Sequence, residues 1–288
     1  MYNTFYGFKE PPFNPTPDNK FFFPSEKHEE ALHSLMYTIK ERKGFAVITG
    51  EIGAGKTTVW HALLNRLDPG TKLALITNTH LTSKQILMAI LEDLGVPYKD
   101  KWAKVRLLSS LNKYLIQQAS LGFNVVLVID EAQNLKIEVL EEIRMLSNLE
   151  TDKEKLIQIL LIGQPQLNYL LDSKELIQLK QRVVVYYHIH PLDKEETERY
   201  IEHRLRIAGF NNGRGFSSPL FTSLAIDKIY SFSRGIPRLI NSICDRALLT
   251  GFIREKKEIS SQIIEEVTQE LKICGSEEEK ERGNEKTV

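Results

Sequence analysis

The chain has 288 residues, 42% of them hydrophobic and 26% charged, with 38 Lys+Arg against 38 Asp+Glu. This composition excludes disordered, collagen-like and small disulfide-scaffold proteins, and the zero formal net charge removes any bulk electrostatic pull toward nucleic acid or anionic membrane. At ~100–200 residues per domain, the length suits one large domain or a domain with a satellite. In chain order, residues 1–24 are rich in Pro, Asn and Phe (PPFNPTP, FFFP) and are expected to form an extended N-terminal arm that lays aromatic side chains on a neighbouring surface. Ser25 then precedes a helical pattern in which Leu32, Leu35, Met36 and Ile39 recur, ending near Gly44.

Short apolar runs alternate with amphipathic ones after that point: FAVIT, KLALIT, NVVLVID, LIQILLIG and RVVVYYHI, with helical patterns between most of them. The alternation predicts an α/β fold, a five-stranded parallel sheet with helices on both faces, occupying residues 25–192 with the first helix. The continuous apolar runs further predict strands covered on both faces. From about Asp193 the strand signal stops, and helical patterns follow one another through RYIEHRLRIAG, LFTSLAIDKIYSFS, PRLINSICDRALLTGF and ISSQIIEEVTQELKI. Residues 193–273 are therefore expected to be all-helical, and the acidic residues 274–288 a disordered tail.

The most specific signal is Gly50-Glu51-Ile52-Gly53-Ala54-Gly55-Lys56-Thr57, a match to G-x-x-x-x-G-K-[ST] with a strand before it and a helix after it. Glycines let such a loop curl its N–H groups toward phosphate oxygens, and the following helix adds its dipole. Lys56 supplies a charge to the β- and γ-phosphates, Thr57 a hydroxyl to magnesium, and Thr58 extends the binding segment into the helix. The strand Val125–Asp130 ends in Asp130-Glu131. Asp130 is expected in the magnesium shell with Thr57, and Glu131 is expected to polarise the attacking water, a group that a hydrolase needs and a pure nucleotide binder can lack. ATP and Mg2+ are thus the expected substrate and metal.

These blocks together resemble the AAA+ ATPases of the ExeA-like (general secretion pathway protein A) family. The resemblance covers almost the whole chain and is carried by FYGFKEPPFNPTPDNKFFFPS, HEEAL, GEIGAGKTT, VLVIDEAQNL, LIGQPQL, LKQRVVVYYHI and SRGIPRLIN. More distantly the chain looks like the target-selection ATPases of DNA transposons. The resemblance implies that residues 193–273 are a lid. It also implies that Gln164 senses the γ-phosphate and that Arg182 is an arginine finger completing the site of a neighbouring subunit in a homo-oligomer. By the same likeness Arg238 is a lid arginine reaching the nucleotide of its own subunit, and His28 lies near the adenine. The family's longer members continue into a transmembrane segment and a peptidoglycan-binding region, so a soluble, ATPase-only relative is the expectation for this chain.

Other features carry less chemistry. Cys244 and Cys274 are far apart and lack metal-ligand spacing, which argues against a zinc site or a disulfide framework. Neither a secretory signal nor a run near the ~18 apolar residues of a membrane span is present, so a cytoplasmic location with no integral membrane segment is expected. His188 and His190 share a strand face and read as packing residues, as do Cys244 and the tryptophans Trp60 and Trp102. Between Arg199 and Lys257 there are eleven Lys+Arg and four Asp+Glu, a local surplus that could serve DNA or an acidic partner, although a solvated face accounts for it as well. The function expected is ATP hydrolysis that drives assembly or remodelling of a partner protein complex in secretion or envelope biogenesis. The alternatives are an ATP-gated DNA-binding regulator of the transposition type and a nucleotide switch or scaffold with little turnover.

Overall fold

In the computed structural model, residues 2–16, 18–151, 154–210 and 219–271 are described. The elements run α1 (Tyr2–Tyr6), α2 (Glu26–Lys40), β1 (Phe45–Gly50), α3 (Lys56–Leu64), β2 (Lys72–Ile76), α4 (Ser83–Asp93), α5 (Lys104–Ser120), β3 (Val125–Ile129), α6 (Ile137–Leu146) and β4 (Gln158–Gly163). They continue with α7 (Gln166–Leu171), α8 (Ile177–Lys180), β5 (Val183–Ile189), α9 (Lys194–Ile207), α10 (Ser223–Ser233), α11 (Pro237–Ile253) and α12 over 261–271. Residues 26–190 form one compact unit, and the segments before and after it form a second. The expected tail and Cys274 lie outside the described residues.

All strand pairs of the first unit are parallel, in the order β2-β3-β4-β1-β5. The five apolar runs are thus the five strands. In β1, β3 and β4 every residue is buried, as continuous apolar runs require. One face of the sheet, through Phe45, Val47, Leu127, Ile129, Ile159 and Leu161, packs on α4, α5 and α6. Helix α5 shows how the sequence specifies this: Leu107, Leu111 and Leu115 repeat every four residues, line one face, and are fully buried. Helices α2 and α3 pack against β1, and α2 also against β5.

The expectation of strands covered on both faces fails at the edges. β5 leaves Val184 53% and Tyr186 44% exposed, and β2 is only partly buried. The reason is position: at the edge, α2 packs on β5 but burial along the strand alternates, so Val184 and Tyr186 lie on the face that is left more open.

In the second unit, residues 2–25 do not run as a plain extended arm. Tyr2, Phe5 and Tyr6 share one face of a short helix that precedes the prolines, and Tyr6, Phe8, Phe13 and Phe21 join one apolar cluster with Ile201, Leu205, Ile240, Cys244 and Leu248. Arg204, buried in α9, fastens this segment. Its Nε donates to the Pro12 carbonyl (2.6 Å), Nη2 to Asn14 O (3.4 Å), and Nη1 to the Tyr200 hydroxyl (2.9 Å), which itself donates to Asn241 Oδ1 (2.9 Å). The guanidinium lies 4.8 Å from the Phe21 ring centre and 5.7 Å from that of Tyr200, so aromatic faces and carbonyl dipoles offset the desolvation of the charge.

The SRGIP turn between α10 and α11 is equally constrained. Gly235 adopts φ +75°, and a Cβ there would stand 1.7 Å from the Leu192 carbonyl oxygen. Its own carbonyl accepts the Leu192 N–H at 3.0 Å, which ties the turn to the start of the helical segment. Asp193 then opens α9 with a capping box, its carboxylate accepting from Glu196 N while Glu196 accepts from Asp193 N.

Substituting Arg204 by Ala removes hydrogen bonds to a buried charge and leaves a void, which should destabilise the protein by about 3 kcal/mol. Arg204→Lys should recover only part of that, because an ammonium cannot span the same acceptors. Denaturant unfolding measures the loss, and faster proteolysis around residues 12–16 identifies its location. Gly235→Ala meets both the left-handed backbone and the Leu192 carbonyl, so it should cost at least about 3 kcal/mol in the same assay; an unchanged midpoint would show that the turn is elsewhere accommodated.

Candidate functional site

At the C-terminal edge of the sheet, β1 ends in Gly50, and the loop to α3 turns through Gly53 (φ 80°) and Gly55 (φ 100°), left-handed conformations that other residues enter only with strain. A Cβ on Gly50 would come within 2.9 Å of Ile189 O, so the first glycine is required by the approach of β5. Buried Val59, Trp60, Ala62 and Leu63 hold α3 in place, and no side chain caps its N-terminus because the capping position is Gly55. The capping position thus adds no side-chain oxygen at the start of α3, and a helix N-terminus of that kind suits an anion.

Lys56 is buried, its Nζ donating to the carbonyls of Gly50 (2.8 Å) and Glu51 (2.9 Å) across the loop it belongs to. Thr57 and Thr58 follow on α3, half-buried, while Glu51 and Ile52 are exposed at the loop tip and Ala54 is buried beneath it. His28, on α2, packs against the loop: its Nε2 lies 3.2 Å from where a Cβ of Gly55 would be. A side chain at that position would press on the ring and would also have to adopt the left-handed φ of +100°.

The strand order places β4 between β1 and β3. Gln164, immediately after β4, thus stands between the glycine loop and the acidic pair that follows β3. Asp130 donates its N–H to Ile76 O (2.9 Å) and accepts the Glu131 N–H on Oδ1 (2.9 Å). Burial raises its carboxyl above the usual range, an effect that the Glu131 N–H and the nearby Lys56 and His61 oppose. Glu131 itself has left-handed backbone, φ 52° and ψ 38°. Its Oε2 accepts from Gln164 Nε2 (2.9 Å) and from Gln133 Nε2 (2.6 Å), and Gln133 Oε1 accepts the Gln164 backbone N–H (3.0 Å). Gln133 went unassigned in the sequence although it lies in the DEAQ block. The only signal was that block itself, and nothing in its spacing says that the fourth residue folds back on the second.

Thr57 and Asp130 offer a hydroxyl and a carboxylate, oxygen donors that a hard divalent cation accepts. Among the described residues no group of three or more His, Cys, Asp or Glu gathers to make an all-protein cage. That donor set fits magnesium, which keeps several waters and takes one or two protein oxygens beside phosphate.

The remaining candidates lie elsewhere. Arg182 precedes β5, at the opposite end of the sheet from the glycine loop, and donates through Nη1 to Ser147 Oγ at 2.7 Å. Arg238 is exposed on the first turn of α11, in the second unit. His188 pairs through Nδ1 with buried Thr49 Oγ1 (2.9 Å), and its ring centre lies 4.7 Å from that of His190. Burial lowers its pKa, as does His190. Within the basic stretch, Arg204 is buried, while Lys228 pairs with Glu265 (2.8 Å) and Arg254 with Glu266 (2.6 Å), so acids of α12 offset part of the surplus.

A family model described as an AAA domain matches residues 39–171. General secretion pathway protein A of Aeromonas hydrophila is 43% identical over 260 residues, covering 90% of this chain and 46% of that protein, so the chain spans about half the length of this relative. Among solved structures, Cdc6p from Pyrobaculum aerophilum is similar with a TM-score of 0.65 at 18% identity, over 88% of this chain and 71% of that one. The Aeropyrum pernix ORC2 protein in its ADPNP-ADP complexes gives 0.63 at 16% identity, over 88% and 72%. At such identities these structures attest the fold alone. No helix among the described residues is long and apolar enough to cross a membrane. The matched AAA domain over residues 39–171, the glycine loop on a five-stranded parallel sheet and the alignment along nearly the whole chain agree: the chain carries an AAA domain and is similar throughout to General secretion pathway protein A.

Proposed function

We propose that the chain binds ATP with magnesium, hydrolyses it to ADP and phosphate, and uses turnover to assemble or remodel a protein complex of a secretion or envelope-biogenesis kind. The observation that carries the hydrolytic reading is the carboxylate of Glu131, held by side-chain amides of Gln133 and Gln164 on the sheet edge that bears the glycine loop. A protein that only binds nucleotide has no use for a fixed carboxylate there. The N–H groups of residues 53–57 and the Lys56 ammonium would hold the β- and γ-phosphates, with Lys56 leaving the Gly50 and Glu51 carbonyls to do so. His28, packed under Gly55, would border the base. Magnesium, when bound, neutralises phosphate charge, and Thr57 and Asp130 would hold it. Glu131 would orient water for in-line attack at the γ-phosphorus, and Gln164 would contact the γ-phosphate.

Two arginines complete this reading. Arg182 is separated from its own loop by the seven residues of β5, roughly 20 Å at ~3.3 Å per residue, so it can serve only a neighbouring subunit of a homo-oligomer. Arg238 sits in the first turn of α11, where the helix dipole disfavours a cation and the turn itself carries no acidic residue. A cost of that kind at an exposed position supports a ligand-binding role, here the nucleotide of the same subunit.

Lys56→Ala should abolish nucleotide binding. Glu131→Gln should bind a fluorescent ATP analogue normally while turnover falls on the order of 10²-fold or more, since only the water-orienting carboxylate is lost. Wild-type turnover by Glu131→Gln would remove the role of Glu131, and a wild-type protein without single-turnover hydrolysis would leave the nucleotide-switch reading.

Arg182→Ala should bind ATP yet lose on the order of 10³-fold in turnover, and mixing it with Lys56→Ala should restore part of the activity, because one subunit has an intact loop and the other an intact finger. Light scattering with and without a non-hydrolysable analogue establishes co-assembly. Mixtures that co-assemble without recovering activity would make Arg182 a residue of its own subunit only.

A further inference from the structure

Gln133 makes two contacts with one side chain. Its Nε2 reaches the Glu131 carboxylate at 2.6 Å, and its Oε1 takes the backbone N–H of Gln164 at 3.0 Å. The orientation of the amide is therefore determined by its partners: the oxygen must face an N–H and the nitrogen a carboxylate. Gln164 closes the triangle by donating its own side-chain amide to the same Glu131 oxygen at 2.9 Å.

The surroundings are shaped for this amide. A Cβ on Gly163 would stand 2.8 Å from Gln133 Oε1, so the space that the amide occupies exists because β4 ends in glycine. Glu131 needs the contact for a separate reason. Its left-handed backbone sends a flexible side chain out of a turn, and a carboxylate that orients water must be held to within about 0.5 Å. Two donors on one oxygen fix the plane of the carboxylate, and the second contact of Gln133 ties that plane to the end of β4.

We propose that Gln133 is a positioning residue for ATP hydrolysis: it sets the direction of Glu131 and couples it to the backbone at Gln164. The proposal rests on the hydrolytic reading above. Gln133 touches neither phosphate nor water in this role. Its loss should lower the rate of the chemical step while leaving nucleotide affinity alone.

The test compares Gln133→Leu, of similar volume without polar atoms, and Gln133→Glu, which sets a second carboxylate against Glu131, with wild type and Glu131→Gln. Steady-state kcat and KM, the Kd of a fluorescent ATP analogue and the thermal midpoint are measured on each full chain. Gln133→Leu should lower kcat on the order of 10- to 100-fold with KM and Kd within about threefold of wild type, the scale expected when a reacting group is misplaced by about 1 Å. Gln133→Glu should lower kcat further. A readout independent of turnover is the Gln133 side-chain NH2 signal in the nitrogen-15 NMR spectrum, assigned by its disappearance in Gln133→Leu, which should move in Glu131→Ala.

A kcat of Gln133→Leu within twofold of wild type, when Glu131→Gln is inactive, overturns the proposal and leaves the hydrolytic reading intact. Equal losses in kcat and analogue affinity overturn it in favour of a structural role, and an NH2 signal that Glu131→Ala leaves in place overturns the contact itself. Wild type and Glu131→Gln turning over alike would instead remove the hydrolytic reading, and the positioning role with it.

Discussion

Parallel pairing of all five strands is the constraint on which the candidate site depends. Parallel strands cannot be joined by tight hairpins, so each must be followed by a crossover, and all the crossovers depart from the same edge. Gly50, Asp130, Gln164 and His190, on segments far apart in sequence, are thereby delivered to one margin of one sheet. The strand order refines the delivery: because β4 lies between β1 and β3, the residue after β4 comes between glycine loop and acidic pair, close enough for Gln164 to bond Glu131.

Such an edge tolerates backbone that would be costly elsewhere. Glu131 is left-handed, Lys56 is a buried ammonium on carbonyls, and Gly50 and Gly163 sit where no Cβ fits. Strained or desolvated groups persist when the structure around them is over-determined, and here they are flanked by β1, β3 and β4, buried throughout. Each fully buried leucine or isoleucine contributes about 1.5–3 kcal/mol, enough in sum to offset a few kcal/mol of local strain.

The second unit solves a different problem. A proline-rich N-terminal segment cannot pair its backbone in a sheet or a long helix, so its carbonyls need other donors. Arg204 supplies them to Pro12 and Asn14 while aromatic rings of the same segment cover the guanidinium. Gly235, in the turn between α10 and α11, is constrained as closely, because a side chain there would collide with the Leu192 carbonyl. Gly235 lies in the SRGIPRLIN block and Arg204 in the helical pattern RYIEHRLRIAG, yet neither role follows from local pattern.

The five apolar runs, the helical repeats such as Leu107-Leu111-Leu115, the glycine loop and the Asp130-Glu131 pair were all legible in the sequence, because each is set by residues within a few positions of one another and by periods that helices and strands impose. Exposure of Val184 and Tyr186 was not legible, since it depends on β5 being an edge. Nor was the helix at Tyr2–Tyr6, or the anchoring of Pro12 by a residue some 190 positions away. The same limit applies to Gln133: its type and its neighbours are plain in DEAQ, but the contact with Gln164 requires β3 and β4 to be adjacent and Gly163 to leave room. By itself the sequence determined most of the elements, the glycine loop and the acidic pair, all products of short-range stereochemistry. Strand order, the amide triangle around Glu131 and the buried Arg204 were decided only by the tertiary structure, because they arise from contacts between segments whose proximity no local pattern encodes.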